Sequence, residues 1–115
     1  MKVYLDHAAT TPVAKEVLEE MRPYFTERYG NASSLHDKGQ EASEALSRSR
    51  EKIASLLKVK ADEIIFTSGG TESDNFALKG MLNKGDHLIT SEIEHHAILD
   101  VCKSLEKQGI KVTYV

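Results

Sequence analysis

Residues 64–73 read IIFTSGGTES, and this stretch predicts the fold class. Its β-branched and aromatic start predicts a strand at 64–67, and the Ser-Gly-Gly that follows predicts a tight loop. The polar residues after the glycines are typical of a helix start. A strand that runs through a glycine-rich loop into a helix indicates an α/β protein, in which strands of one sheet alternate with helices.

The second half of the chain repeats this alternation. Apolar spacing and turn residues predict a helix through Asn75, Ala77, Leu78 and Met81 that ends at Lys84-Gly85, followed by a strand at 87–90. They then predict a helix that closes at 108–109 and a strand at 110–115. This second helix has the following residues on one face: Ile98, Val101, Cys102 and Leu105. This order implies one sheet with right-handed crossovers. Because the sequence stops within the last strand, we expect the sheet to continue outside these 115 residues.

The first half of the chain is predicted to be mainly helical. Residues 3–5 are β-prone and lie in an extended arm, and apolar spacing from 17 to 25 predicts a helix that Pro23 kinks or resets. A polar loop then leads into a long helix at about 38–57. The stripe of that helix expected to face inward is Ala42, Ala45, Leu46, Ile53, Leu56 and Leu57.

Composition excludes several classes of protein. With 40% hydrophobic and 29% charged residues, the chain is predicted to be a soluble globular protein. A net charge of -3 without a basic cluster argues against nucleic-acid and membrane partners. The start lacks the apolar core of a secretory signal, and the single cysteine excludes an internal disulfide, so we expect a cytoplasmic location.

The loop at 68–73 is a candidate anion site. Free N–H groups at a helix start carry the positive end of the helix dipole, and glycines let a phosphate approach the backbone. Thr71 or Ser73 can add a hydroxyl donor. The alternative is that Ser68 or Thr71 only caps the helix while the glycines make the turn. The loop has neither the Gly-Lys-Ser/Thr of nucleotide hydrolases nor a dinucleotide fingerprint.

Glu94-His95-His96 follows the predicted strand at 87–90 and begins the next helix. Ligands of open α/β sheets gather at the carboxyl ends of the strands, so we expect this segment and the glycine loop to face one crevice. A histidine there can stack on a planar ring or shuttle a proton. The alternative is a partly exposed surface histidine. No metal site is predicted, because adjacent side chains point apart and no spaced ligand completes a set.

Two further candidates are less specific. Cys102 lies on the predicted apolar stripe, which favours a buried small hydrophobe over a reactive thiol. The polar loop that contains Asn31, Ser33, Ser34 and His36 fits either an ordinary turn or a segment that lines a site. Spacing alone does not decide between those two interpretations.

Four segments, in their order and spacing, resemble the cysteine desulfurases. This family is the NifS/IscS-like, class-V aminotransferase branch of the fold-type I pyridoxal-phosphate (PLP) enzymes. The segments are YLDHAATTP at 4–12, GNASSLH at 30–36, FTSGGTESDN at 66–75 and EIEH at 92–95. The resemblance covers essentially all of this chain, as the amino-terminal portion only of such an enzyme. Ala32 departs from the pattern, because the family often has proline there.

The resemblance implies an α/β fold, the start of the large domain of a fold-type I PLP-dependent transferase, with the sheet incomplete in this chain. Residues 1–12 correspond to an arm associated with the smaller domain, and residues 13–115 to the first part of the PLP-binding large domain. It also implies a homodimer for the full-length family.

Site residues follow from the same resemblance. Gly70 and Thr71 correspond to the residues that hold the PLP phosphate. His95 corresponds to the catalytic histidine that stacks on the pyridine ring and assists proton transfers, whereas His96 has no such counterpart. Asn31 and His36 correspond to a loop near the substrate.

Cysteine desulfurases convert L-cysteine to L-alanine and an enzyme-bound persulfide. The sulfur then passes to iron–sulfur cluster scaffolds or to tRNA-modifying proteins. The family's Schiff-base lysine, the acid that pairs with the pyridine nitrogen and the persulfide cysteine have no counterpart within these 115 residues. We therefore expect this polypeptide alone to have no desulfurase activity.

Three alternatives remain open at this point. The chain could be a non-catalytic remnant that binds a partner through an unfinished sheet, or part of a related PLP lyase such as a selenocysteine lyase. It could also be a general binder of phosphate ligands that uses the Gly69-Gly70-Thr71 turn.

Overall fold

The computed structural model describes all residues from 1 to 115 and divides the chain into two compact units. The first unit is Met1–Ile64 and the second is Ile65–Val115. The predicted separation of residues 1–12 as an arm of a different domain remains a prediction.

The first unit consists of three helices and a single 3-10 turn. The helices are α1 (Lys15–Met21), α2 (Pro23–Thr26) and α3 (Asp37–Leu57), and the 3-10 turn is Ala61–Glu63. Pro23 occupies the first position of α2, where its missing N–H is not needed, so the predicted reset of the helix at Pro23 is confirmed. The long helix is also confirmed and begins one residue earlier than expected.

The predicted inward stripe of α3 is only partly buried in this chain, since Ala42 and Ala45 are half-buried and the larger side chains are not. Only Gly39 and Ala54 of this helix are buried. Leu56 and Leu57 are 82% and 63% exposed, and Leu46 and Ile53 are exposed as well. The apolar face of this helix is therefore covered only in part within the first unit, where Val17 and Met21 of α1 line a groove with Leu46.

The second unit contains α4 (Gly70–Met81), β1 (His87–Thr90), α5 (His96–Lys107) and β2 (Lys111–Tyr114). The two strands form a parallel sheet in which His87 pairs with Lys111. The predicted face of α5 is buried, because Val101 and Leu105 form the core together with Ile110. Partly buried leucines of α4, β1 and the segment between them pack against this core: Leu78, Leu82 and Leu88.

Two of the predicted boundaries need correction. Residues 64–67 do not form a strand, because the sheet has only two members, β1 and β2. A β-prone segment becomes a strand only when a neighbouring strand completes its ladder of hydrogen bonds. In addition, α4 ends at Met81, and Gly85 lies in the turn that precedes β1. The fold is thus a set of helices with one small parallel sheet.

A glycine ends α5 in a well-defined motif. The N–H of Ile110 donates to the carbonyl of Leu105, and the N–H of Gly109 donates to that of Glu106. These are the two hydrogen bonds of a Schellman motif, and the buried Leu105 and Ile110 supply its apolar contact. Gly109 has φ of 88°, a left-handed conformation that favours glycine.

Candidate functional site

The loop before α4 is held in shape by Glu72, which lies in the first turn of the helix. Ser68 donates both its N–H and its hydroxyl to Glu72 Oε2, at 2.5 and 2.6 Å. The N-cap residue is Gly69, and no side chain caps the helix. The interpretation of Ser68 or Thr71 as a simple cap is therefore wrong.

This arrangement leaves donors available at the start of α4. The N–H groups of Gly70 and Thr71 have no acceptor within the chain. A Cβ built on Gly69 or Gly70 would meet no atom within 4 Å, so the approach to these N–H groups is open. Helix-start N–H groups with open access form the kind of site that takes a phosphate.

The structure distinguishes the two hydroxyl donors that the sequence offered. Ser73 Oγ lies 2.7 Å from Thr67 Oγ1 and also donates to the carbonyl of Gly69 at 3.2 Å. The Ser73 hydroxyl is therefore already used in hydrogen bonds within the loop. The Thr71 side chain makes no hydrogen bond in the chain, which makes it the hydroxyl available to a ligand.

The charge of Glu72 is stabilised by the same loop. The hydroxyl of Ser68, followed by its N–H, lowers the pKa of the Glu72 carboxyl below the ordinary value of 4.5. A carboxylate that accepts two hydrogen bonds is favoured in its ionised form. At neutral pH the loop thus has an internal anion that orders Ser68, separate from the N–H groups of Gly70 and Thr71.

A shallow groove of about 470 Å³ in the second unit contains two of the predicted site residues. One wall is the face of α4 that carries Thr71, Asn75 and Lys79, spaced four residues apart. The other wall is the first half of α5 and its cap, with His95 and His96. Thr71 and His95 are therefore brought to one groove, next to the loop that contains Gly70.

His95 has a structural role that sequence reasoning missed. It is the N-cap of α5, and its Nδ1 accepts the N–H of Ala97 at 3.1 Å. The ring also meets the ring of His96 edge-on, with 6.2 Å between the centroids. Residue preferences at N-caps favour Ser, Thr, Asp and Asn, so nothing in the sequence marked a histidine as a cap.

The other predicted substrate-proximal residues belong to the first unit. Asn31 Oδ1 accepts the N–H of Ser33 at 3.0 Å and so shapes a turn. His36 is the N-cap of α3, and its Nδ1 accepts the N–H of Gly39 at 3.4 Å. Both side chains thus have local structural roles, and their proximity to a substrate remains a prediction.

Cys102 is fully buried, as its position on the apolar face of α5 predicted. Burial raises the pKa of its thiol, which disfavours the reactive thiolate. No group of three or more His, Cys, Asp or Glu side chains in the chain could hold a metal ion. No helix combines the length and apolar character needed to cross a membrane.

The family model for class-V aminotransferases matches residues 3–115. The chain therefore belongs to the class-V aminotransferase family. Within that family it is similar to proteins named cysteine desulfurase IscS, with 54% identity to that of Dictyoglomus turgidum, 53% to that of Methanosarcina thermophila and 55% to that of Neisseria meningitidis. Each comparison covers 98–99% of this chain.

Solved structures give the same relationship. A NifS-like protein matches all of this chain with a TM-score of 0.90 and 44% identity, and 33% of that protein is covered. SspA in complex with cysteine matches 97% of this chain with a TM-score of 0.88, again over 33% of its own length. The predicted resemblance to the amino-terminal portion of cysteine desulfurases is confirmed. The chain spans about 30% of the length of the curated relatives it matches.

Proposed function

We propose that these residues form the cofactor-phosphate and ring-contact part of a PLP-dependent cysteine desulfurase, within the first part of a fold-type I large domain. The observation that carries this proposal is the groove that brings Thr71 and His95 together beside the unpaired N–H groups of Gly70 and Thr71. A bound PLP would supply an electron-withdrawing ring that makes the bonds at the substrate Cα labile.

Each residue has a defined task in this proposal. The N–H groups of Gly70 and Thr71 and the Thr71 hydroxyl bind the phosphate oxygens, supported by the helix dipole of α4. His95 contacts the face of the pyridine ring from the start of α5. Asn31 and His36 contribute to the substrate side in the complete enzyme.

The substrate proposed is L-cysteine. The structurally similar SspA was solved with cysteine, and the relatives named IscS are cysteine desulfurases. We propose that the sulfur goes to an iron–sulfur scaffold or another acceptor protein, that the enzyme works as a cytoplasmic homodimer, and that the 115 residues alone do not turn over cysteine. Production of alanine and sulfide from L-cysteine by the purified chain would contradict the last point.

Pyridoxine 5′-phosphate tests the site without covalent chemistry. It carries the phosphate and ring of PLP but no aldehyde, so it cannot attach to a lysine. We expect calorimetric titration of the full chain to show binding that Thr71→Ala weakens by about tenfold or more, since a hydrogen bond to a charged group is worth about 1.5–3 kcal/mol. Gly70→Val should weaken binding as well, because its side chain would occupy the open approach to the N–H groups.

The matched control is Thr26→Ala, which removes a hydroxyl at the end of α2, outside the groove. Its affinity should equal that of the wild type. If Thr71→Ala and Thr26→Ala bind pyridoxine 5′-phosphate with equal affinity, Thr71 does not contact the ligand. If inorganic phosphate binds as tightly as pyridoxine 5′-phosphate, the loop is a general phosphate binder and the ring contact of His95 is wrong.

A further inference from the structure

The loop at residues 30–34 is fixed to the start of α3 at both of its ends. Gly30 lies directly against the carbonyl of Lys38, and a Cβ built on Gly30 would overlap that carbonyl. At the other end, a Cβ built on the buried Gly39 would overlap the carbonyl of Ser34. Neither glycine has a positive φ, so each is required for the close approach of two backbone segments and not for an unusual conformation.

The side chain of Lys38 returns to the residues that precede this loop. Its Nζ donates to the carbonyl of Glu27, the C-cap of α2, at 2.7 Å, and lies 5.5 Å from the centroid of the Tyr29 ring. A lysine that donates to a carbonyl at a helix end is a favourable C-terminal contact. Glu41 adds a third contact, because its Oε2 lies 3.7 Å from Lys38 Nζ while its Oε1 lies 3.4 Å from Arg28 Nε. Lys38 therefore contacts the start of the loop through both its ammonium and its main-chain carbonyl.

Asn31 shapes the loop from within. Its Oδ1 accepts the N–H of Ser33 at 3.0 Å, and its carbonyl accepts the N–H of Ser34 at 2.9 Å. These two bonds determine the shape of the turn, whereas the contacts of Lys38 and Gly39 determine where the turn lies on α3. Together they place Asn31 before any ligand is present.

We propose that Lys38 is a positioning residue, which holds the 30–34 loop in one conformation on α3 so that Asn31 is ready to contribute to the substrate side of the site. This inference rests on the proposed function for the task of Asn31, but not for the order of the loop. A group that is held in place before binding avoids the entropic cost of ordering a mobile loop when the ligand arrives.

The effect of Lys38 is expected to be local. Lys38 and Glu41 are half-exposed, and an exposed ion pair contributes little to the stability of a whole fold. The 30–34 loop itself has no buried side chain, so it has no hydrophobic anchor and depends on these polar and backbone contacts. Loss of the ammonium should therefore loosen the loop without unfolding the unit that contains it.

Nitrogen-15 relaxation of the full chain, without any ligand, measures the order of the loop. We expect the amide order parameters of Asn31, Ser33 and Ser34 to be about 0.85, the value of rigid backbone. Lys38→Met keeps an unbranched side chain of similar length but removes the ammonium. It should lower these order parameters toward the values below about 0.6 that mark flexible backbone. Amide hydrogen exchange at Ser34 should become roughly threefold to tenfold faster, the factor that corresponds to one hydrogen bond.

A rescue variant and a matched control separate positioning from general stability. Lys38→Arg keeps the charge and the donors, so it should retain the rigid loop. Lys52→Met removes the same charge from α3 outside the contacts of the loop, and should leave the loop unchanged. The free energy of unfolding should be equal in all four chains. A loop that is as ordered in Lys38→Met as in the wild type overturns the proposal, and so does equal loosening by Lys38→Met and Lys52→Met.

Addition of pyridoxine 5′-phosphate distinguishes failure of this inference from failure of the proposed function. If the compound does not bind while Lys38→Met loosens the loop, the cofactor site is wrong and the role of Lys38 in ordering the loop stands. If the compound binds while the loop is equally ordered in wild type and Lys38→Met, the cofactor site stands and the positioning role of Lys38 is overturned.

Discussion

Glu72 accepts both polar hydrogens of Ser68, and these two bonds shape the loop that carries Gly69 and Gly70. The bonds lower the pKa of the carboxyl in the folded chain. A lowered folded pKa means that the carboxylate stabilises the fold above the unfolded pKa, and that this contribution is lost as pH falls through the folded value. The loss is therefore expected below about pH 4.5, the ordinary value.

Ser68→Ala tests this coupling. Removal of the hydroxyl takes away the larger cause of the shift, so the pKa of Glu72 should rise toward its ordinary value. Carboxyl NMR titration of wild type and variant measures the change directly. Ser55→Ala, at an exposed serine near the end of α3, is the control and should leave the Glu72 titration unchanged. Identical Glu72 titrations in wild type and Ser68→Ala would contradict the coupling.

At the residue scale, the sequence predicted the glycine loop but not the atoms that organise it. The capping-box pattern places an acidic residue three positions after the cap, whereas Ser68 and Glu72 are four apart, so the pattern did not indicate their contact. The His95 cap was missed for the reason that histidine is uncommon there. The burial of Cys102 was predictable, because it follows from the periodicity of α5 alone.

Two glycines in different elements give opposite expectations for the same substitution. Gly109→Ala forces a side chain into a left-handed conformation at φ of 88° and should destabilise the chain by roughly 1–2 kcal/mol. Gly80→Ala lies inside α4, where an added Cβ meets no atom within 4 Å, and should stabilise by about 0.5–1 kcal/mol.

Denaturant unfolding of both variants measures this difference. Each substitution adds one methyl group and restricts the unfolded chain similarly, so the contrast isolates the native backbone conformation. A Gly109→Ala variant as stable as Gly80→Ala would show that the Schellman turn tolerates a side chain and would contradict the expected strain.

Elements that depend on local periodicity were predictable to within about two residues at their ends, as α3, β1 and α5 show. Residues 64–67 have the composition of a strand, but a strand forms only where a second strand, distant in sequence, offers hydrogen bonds to it. Composition therefore could not establish whether it is paired. The end of α4 was placed too late because Gly85, a typical helix stop, here serves the turn before β1.

The solvent-accessible surface of the whole chain is larger than expected for its mass. Its accessible surface is 9510 Å² for 12.8 kDa. Two separate compact globules of half this mass would together expose roughly 7,600 Å² by the usual scaling. The excess coincides with many exposed apolar side chains, whereas only Ala54, Val101, Cys102, Leu105 and Ile110 form the buried hydrophobic set.

The first unit contributes much of this apolar surface. An open groove of about 960 Å³ is lined in part by apolar side chains of α1, α2 and α3: Val17, Met21, Tyr24 and Leu46. Periodicity could identify the apolar face of each helix but not what packs against it, since that information is nonlocal. Contiguous exposed apolar surface of this kind favours association or partner binding.

We expect the purified chain to bind a hydrophobic dye such as ANS and to self-associate with increasing concentration, because its apolar helix faces are exposed. Leu56→Lys combined with Leu57→Lys should reduce both signals and change the free energy of unfolding by no more than about 0.5 kcal/mol, since both side chains are exposed. Leu105→Lys, in the buried core of the second unit, is the matched control and should unfold that unit.

Sedimentation velocity and dye fluorescence measure the outcome. A monomer at all concentrations without dye binding would show that these faces do not associate, which favours the interpretation as a self-sufficient module.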